Sequence, residues 1–192
     1  MNVGDGGSAR VAAARRGDSA AFRHLVDPHI RGLYRVSIRI LDDPSLAEDA
    51  VQETLWKAYR GLDRFDERAS FSTWLYRIGV NTALGVRRTH REGGIGRHLV
   101  DDPTNEVLSR VPDRAPQPVD IAGSRQLEGA LEKALDRLTP LERTAFVLRH
   151  LEQHSLEEIA AVLESNVNAC KQAIFRAVRK LRPALSPWRT EV

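Results

Sequence analysis

Apolar side chains recur every three or four residues along almost the whole chain, and one glycine- and proline-rich stretch interrupts that spacing. The spacing is that of amphipathic α-helices, and no clear run of alternating β-branched residues indicates a strand. Residues 92–123 contain four glycines and four prolines, which break helices. The sequence therefore predicts an all-α protein with two small helical domains, residues 18–91 and 124–185, joined by a flexible acidic linker over residues 92–123.

The two ends of the chain fall outside these domains. Residues 1–17 lack the apolar core of a secretion signal and are predicted to be a disordered leader, and residues 186–192 a short tail. No stretch approaches the roughly 18 apolar residues of a membrane helix, so we expect no membrane insertion and a cytoplasmic location. The single cysteine, Cys170, excludes an internal disulfide and is interpreted as a core residue.

Local start and stop signals divide the first domain into helices. Asp18 is suited to capping a helix, and Pro28 is predicted to end it. Asp43 followed by Pro44 is a second start signal, because proline suits the first helical position. The remaining predicted elements are helices over about 29–41, 44–62 and 70–91 and a polar loop over residues 63–69.

The last predicted helix carries positive charge and no negative charge. Residues 165–182 include five Lys or Arg and no Asp or Glu, while their apolar residues recur at helical spacing. Upstream, Ser155 with Glu158 and Thr139 with Glu142 form capping-box patterns that open shorter helices. Two short helices, of which the second is basic, have the layout of a helix-turn-helix that places its second helix in the DNA major groove.

The outward side chains of this last helix are those that read base edges. Asn and Gln pair with adenine, Lys and Arg with guanine or phosphate, and Phe contacts the thymine methyl group. The alternative is a basic, solvated helix that binds nothing specific. The candidate DNA-binding residues are Asn168, Lys171, Gln172, Phe175, Arg176, Arg179 and Lys180.

An acidic cluster lies on the helix predicted over 44–62. Glu48, Asp49, Gln52 and Glu53 form pairs one helical turn apart, typical of either a solvated face or a docking face for a basic partner. A metal site is not expected, because two or three carboxylates alone seldom form an all-protein cage. His150 and His154 are interpreted as surface residues. No nucleotide-binding loop or catalytic triad is recognisable, so neither an enzyme nor a cofactor is expected.

Three segments resemble bacterial sigma factors of the sigma-70 family. Residues 47–58 resemble the helix that binds core RNA polymerase, and residues 71–81 resemble the promoter-melting helix of the same domain. Residues 138–181 resemble sigma region 4. Two such blocks with only a linker between them are similar to the extracytoplasmic-function group.

The resemblance implies a protein that directs core RNA polymerase to promoters and aids melting of the −10 element. The basic helix would then bind duplex DNA at −35, and the first domain would bind single-stranded −10 DNA with a flipped base at residues 63–69. The implied −10 residues are Arg64, Phe65, Trp74, Arg77, Asn81, Arg87 and Arg88. The implied polymerase-binding residues are Glu48, Asp49, Gln52, Glu53 and Trp56. They would contact a coiled coil of the largest polymerase subunit. The 140–151 helix would contact the flap of the polymerase.

Several alternatives stay open at this point. The chain also fits a helix-turn-helix activator or repressor that acts without replacing a sigma subunit, or a metal-dependent helical enzyme using the acidic cluster. Trp74 is either a core residue or a DNA contact. The acidic residues of the linker either mimic RNA in a basic channel of the polymerase or belong to a flexible spacer. The resemblance also makes an anti-sigma factor a candidate partner. At the turn, Glu164 and Ser165 stand where the family usually has glycine and an aliphatic residue.

Overall fold

The computed structural model describes residues 5–91 and 133–186, and within those ranges it contains helices and no strand. The chain divides into two compact units. The helices and this division confirm the predicted all-α fold with two domains. The predicted linker over residues 92–123 lies outside the described residues, as does most of the predicted tail. The elements are α1 Asp5–Arg15, α2 Ser19–Leu41, α3 Pro44–Gly61, a 3₁₀ helix Leu62–Arg64, α4 Phe71–Arg91, α5 Pro140–His150, α6 Leu156–Val162 and α7 Val167–Leu185.

Helices α2, α3 and α4 pack against one another and form the core of the first unit. The carboxylates of Asp18 and Asp43 accept hydrogen bonds from first-turn amides of α2 and α3. The Ser70 hydroxyl accepts the Thr73 amide at 3.1 Å and starts α4 in the same way. Each cap satisfies a backbone donor that the helix leaves unpaired, so the predicted start signals are confirmed.

The prediction that Pro28 ends a helix is wrong, because α2 runs unbroken from Ser19 to Leu41. An interior proline costs a helix about 3 kcal/mol. Six apolar side chains of α2, three on each side of Pro28, are nevertheless buried along one stripe, and burial of each contributes about 1.5–3 kcal/mol. Tertiary packing therefore outweighs the local break. These residues are Phe22, Leu25, Val26, Leu33, Val36 and Ile40.

The prediction of a disordered leader over residues 1–17 is also wrong, since Asp5–Arg15 forms α1 and packs against α2. Val11 and Ala14 are buried in that contact. The segment has a weak helical pattern of its own, and a short helix is marginal in water without tertiary packing. The first unit therefore begins at Asp5 or earlier.

The middle of α4 approaches α2 closely at Gly79. A Cβ atom built on Gly79 would lie 2.7 Å from Leu33 Cδ2, and Leu33 is itself buried, whereas a Cβ on Gly85 would meet nothing within 4 Å. Both Gly→Ala changes gain about 1 kcal/mol of helix propensity, but overpacking at Gly79 costs about 1–3 kcal/mol. We expect Gly79→Ala to be about 1–3 kcal/mol less stable than Gly85→Ala in urea unfolding. Equal stabilities would contradict this packing.

The second unit is built around the contact of α5 with α7. Residues 133–135 are helical and precede the turn into α5. Thr139 and Glu142 form the predicted capping box with Pro140 in the first turn, and Ser155 and Glu158 exchange the same pair of hydrogen bonds before α6. One buried apolar cluster of this unit consists of Ala134, Leu135, Leu138, Ala177 and Leu181.

Candidate nucleic-acid interface

A solvent-facing cavity of about 390 Å³ lies in the first unit between the end of α3, the 3₁₀ helix and α4. Three predicted −10 residues meet there, namely Arg64, Trp74 and Asn81. The cavity thus combines an aromatic face, an amide and a guanidinium. Its lining residues are Lys57, Gly61, Arg64, Trp74, Ile78, Asn81 and Thr82.

Two polar residues of this cavity, Lys57 and Thr82, were not among the predicted site residues. Lys57 Nζ donates to Thr82 Oγ1 at 3.3 Å and forms an ion pair with Glu53 at 3.1 Å. The pairing of Glu53 with Lys57 follows from their one-turn spacing. The approach of Lys57 to Thr82 joins two different helices, and no local pattern in the sequence signals it.

An aromatic cluster forms the wall behind the cavity. The ring centroid of Trp74 lies 5.1 Å from that of Phe65 and 5.6 Å from that of Phe71, distances at which aromatic rings attract. Trp74 packs on this cluster and also lines the cavity, so its partly exposed ring faces both. Phe65 is only 3% exposed. The prediction that Phe65 contacts DNA is not supported, because its ring is covered by these neighbours.

The other predicted −10 residues lie along α4. Arg77 and Arg87 are partly exposed, and Arg88 is exposed. None of the three lines the cavity. All three follow Trp74 along the chain, and Arg87 and Arg88 lie near the carboxyl end of α4, where positive side chains complement the helix dipole.

Helix α1 holds the loop at the cavity rim. The Arg15 guanidinium donates to the carbonyl oxygens of Leu62, at 3.2 Å, and of Phe65, and it forms an ion pair with Glu67 at 3.5 Å. Ser8 also donates to the Glu67 carboxylate. Glu67 has a left-handed backbone with φ 59°, which costs free energy in a non-glycine residue unless neighbours hold it. These contacts supply that support.

Removal of the Arg15 guanidinium is therefore expected to loosen residues 62–70 without unfolding the unit. In Arg15→Ala, the amides of this loop should exchange with deuterium at least about 10-fold faster, because a hydrogen bond to a charged group contributes about 1.5–3 kcal/mol. Arg16→Ala removes an exposed neighbouring cation and is the matched control. Unchanged exchange in Arg15→Ala would show that α1 does not hold the loop.

The acidic cluster lies on α3. Glu48, Asp49 and Gln52 are exposed, whereas Glu53 is partly buried and paired with Lys57. Trp56 is partly buried, with the Arg60 guanidinium 4.7 Å from the centre of its ring. Three of the five predicted polymerase-binding residues thus project into solvent.

The helix-turn-helix of the second unit is formed by α6 and α7. Glu164 takes the left-handed conformation with φ 50° at the position where the family usually has glycine. The turn closes behind it, since the Ser165 amide donates to the Ala160 carbonyl at 2.9 Å and Asn166 caps α7 by accepting the Ala169 amide at 2.8 Å. The absent glycine therefore does not prevent the turn.

Helix α7 buries one face, which includes Cys170 as predicted for a core thiol. Burial raises the pKa of this thiol. The opposite side, here called the outward face, combines two amides, two cations and Phe175, which is 63% exposed. An aromatic ring with that exposure is poorly hydrated and is suited to an apolar contact. The outward face consists of Asn168, Lys171, Gln172, Phe175 and Arg179, all exposed.

The other two predicted DNA-binding residues, Arg176 and Lys180, are held on the flank of α7. Arg176 Nε donates to Glu142 Oε1 at 3.1 Å, and Lys180 Nζ donates to Glu142 Oε2 at 2.7 Å. Glu142 is only 3% exposed. Burial raises the pKa of Glu142, but hydrogen bonds from Lys180, the Thr139 amide and Arg176 together outweigh it and lower the pKa to about 2. The carboxylate is therefore ionised at neutral pH and holds both cations.

The interpretation of both histidines as surface residues is half correct. His150 is exposed, but His154 is buried between α5 and α6, where its carbonyl oxygen accepts a hydrogen bond from Arg149 at 2.9 Å. Burial lowers the pKa of His154 and favours the neutral ring. Across residues 5–91 and 133–186, no group of three or more His, Cys, Asp or Glu is placed to hold a metal ion. No helix in those same ranges is long and apolar enough to cross a membrane.

Comparison with known proteins decides the family. The profile of Sigma-70 region 2 matches residues 25–92, and that of Sigma-70, region 4 matches residues 128–181. An ECF RNA polymerase sigma-E factor of Haemophilus influenzae is 32% identical to this chain, over 93% of the chain and 95% of its own length. The chain belongs to the extracytoplasmic-function (ECF) sigma factors. Sigma factors of this family are transcription initiation factors.

Other members agree with this assignment. The RNA polymerase sigma-H factor of Pseudomonas aeruginosa is 33% identical over 92% of both chains. Among solved structures, CnrH in complex with the cytosolic domain of CnrY has a TM-score of 0.68 and 26% identity, covering 93% of this sigma factor and 96% of that chain. The sigma factor RpoE of Bartonella quintana, at 22% identity and a TM-score of 0.63, shares the fold.

Proposed function

We propose that this sigma factor carries core RNA polymerase to promoters, holds the opened −10 strand at the cavity of its first unit, and reads duplex DNA at −35 with α7. The observation that carries the proposal is the convergence of Arg64, Trp74 and Asn81 on one cavity. Extruding a base costs a few kcal/mol of stacking, and a pocket must offset that cost.

The lining of the cavity supplies the interactions that a flipped base needs. An aromatic face stacks on any base and contributes about 1–3 kcal/mol, which assigns this role to Trp74. The Asn81 amide can both donate to and accept from a base edge. Arg64 and Lys57 bring positive charge to the adjoining phosphate. Arg77, Arg87 and Arg88 extend that charge along α4 and guide the single strand.

At −35, the outward face of α7 enters the major groove. Lys171, Gln172 and Phe175 lie in the amino-terminal half of the helix, which is the half that contacts base edges in this motif. Asn168 joins them at the first turn, and Arg179 grips a phosphate farther along. Phe175 favours a thymine, because its exposed ring can pack on the C5-methyl group.

Two surfaces are proposed to dock on the polymerase. The exposed acids of α3 suit a basic coiled coil, with Trp56 at their edge. On the second unit, the 140–151 helix presents Leu141 and Leu151, both 39% exposed, which suit an apolar contact with the flap. In this role the sigma factor performs no catalysis itself, and it acts in the cytoplasm beside the chromosome. An anti-sigma factor is a further proposed partner, as for the Bartonella quintana protein, which was crystallised with NepR.

Reversing the charge of the α3 surface tests the first of these docking sites. In Glu48→Lys with Asp49→Lys, affinity for core polymerase should fall about 10-fold or more, because like charges across an interface repel. Both residues are exposed, so the fold should persist. The double change Asp27→Lys with Glu157→Lys, at two exposed acids outside the proposed docking surfaces, is the charge-matched control. Wild-type affinity for core polymerase in Glu48→Lys/Asp49→Lys would exclude this surface.

Selection of bound genomic fragments distinguishes a sigma factor from a helix-turn-helix regulator that acts alone. The full chain is incubated with fragmented genomic DNA, with and without core polymerase, and the bound fragments are sequenced. A sigma factor enriches a defined set only when the polymerase is present. Enrichment of the same set by the chain alone would instead identify an activator or repressor.

A further inference from the structure

Arg176 and Lys180 sit one helical turn apart on α7, on the flank that faces the start of α5 rather than on the outward face. The residues that α7 buries are Cys170, Ala173, Ala177 and Leu181. At 3.6 residues per turn, Arg176 and Lys180 lie beside this buried stripe, whereas Phe175 and Arg179 lie opposite it. The two groups of cations therefore point in different directions.

Both oxygens of the Glu142 carboxylate, which lies between the two flank cations, accept hydrogen bonds. Oε1 of Glu142 accepts from Arg176, while Oε2 accepts from both Lys180 and the Thr139 amide, the latter at 3.0 Å. Glu142 is also the third residue of α5 and part of its capping box. A DNA phosphate that captured either cation would leave a buried carboxylate short of a partner, and such a group is strongly destabilising.

We propose that Glu142 is a positioning residue for promoter recognition. It keeps Arg176 and Lys180 off DNA phosphates and fixes the rotational setting of α7, so that the outward face meets the base edges. The inference rests on the proposed −35 role of α7. It also separates the structural cations on the flank, Arg176 and Lys180, from the DNA-contacting cations on the outward face, Lys171 and Arg179.

The test uses the salt dependence of DNA binding by the full chain, measured by fluorescence anisotropy on a labelled duplex of arbitrary sequence. Each phosphate contact contributes about 0.9 to the slope of log K against log salt concentration. Glu142→Gln removes the charge but keeps a side chain that can complete the capping box. It should release the flank cations and steepen the slope by about 0.9–1.8. Glu157→Gln, at an exposed acid of α6, removes the same charge and should leave the slope near its wild-type value.

The triple change Glu142→Gln, Arg176→Gln, Lys180→Gln neutralises the whole cluster. It should return the slope to the wild-type value, because these cations make no phosphate contact in the wild type. A slope shallower than wild type by about 1.8 would show that both cations bind DNA and would overturn the proposal. Equal slopes for Glu142→Gln and Glu157→Gln would overturn it as well. If Glu142→Gln fails to fold by circular dichroism, the triple variant still decides.

A second readout uses the holoenzyme. Glu142→Gln should reduce the preference for a selected promoter over the same fragment with a shuffled −35 element by about 10-fold, while affinity for core polymerase stays unchanged. An undiminished preference would contradict the positioning role. If the wild-type chain does not bind core polymerase, the proposed function is refuted. The slope measured on DNA alone does not depend on the polymerase, so failure of the proposed function can be distinguished from failure of the positioning role.

Discussion

Replacing Arg64 and Asn81 together with alanine is expected to slow promoter opening by about 60- to 700-fold. Both side chains line the cavity of the first unit and are exposed, so their loss removes contacts to an extruded base without opening the core. A hydrogen bond to a charged group contributes about 1.5–3 kcal/mol and a neutral one about 1 kcal/mol. Each 1.4 kcal/mol corresponds to a factor of ten, which gives the expected range.

Opening is measured as the time course of permanganate reactivity at unpaired thymines in the holoenzyme–promoter complex. Arg68→Ala is the matched control, because Arg68 is an exposed cation of the same loop and is paired with Asp66 at 3.3 Å. A template opened beforehand by mismatches should remove most of the defect, since the cost of extrusion is then already met. A wild-type opening rate in Arg64→Ala/Asn81→Ala would exclude the cavity as the site of the flipped base.

The second large effect is expected at the outward face of α7. Lys171→Ala with Gln172→Ala should reduce the preference of the holoenzyme for its promoter over a version with a shuffled −35 element by about 30-fold or more. Two lost base contacts cost about 1–3 kcal/mol each. Both residues are exposed, so α7 keeps its packing on α5.

The preference is measured as the ratio of equilibrium affinities for the two promoter fragments at fixed salt, because phosphate contacts depend strongly on ionic strength. Lys133→Ala removes an exposed cation of the same unit that lies outside α7 and should leave the ratio intact. If Lys171→Ala/Gln172→Ala binds both fragments less tightly by the same factor, these residues contact only phosphates. That result would contradict the assignment of base reading to α7.

The features predicted correctly from the sequence are those that local chemistry determines. Asp43 with Pro44 and Thr139 with Glu142 act within one helical turn, and each forms the cap expected of it. The buried stripe of α7 likewise follows from helical spacing alone. The elements that were assigned correctly therefore depended little on tertiary contacts.

The features that the sequence did not reveal depend on residues far apart in the chain. Pro28 is tolerated because the stripe on both sides of it is buried by other helices. Phe65 was expected to be available to DNA, but Phe71 and Trp74 cover it. Arg176 and Lys180 meet a carboxylate that precedes them by 34 and 38 residues. Nothing in the spacing of the cations on α7 indicates which of them pair with Glu142.

Mapping of transcript 5′ ends tests whether the chain directs the polymerase to promoters. The purified chain is added to core polymerase on genomic fragments, and the starts of the RNA products are sequenced. We expect defined start points that depend on the chain, that share −10 and −35 elements at constant spacing, and that yield far fewer transcripts with Arg64→Ala/Asn81→Ala. Transcripts that begin at the same scattered positions with and without the chain would contradict this expectation.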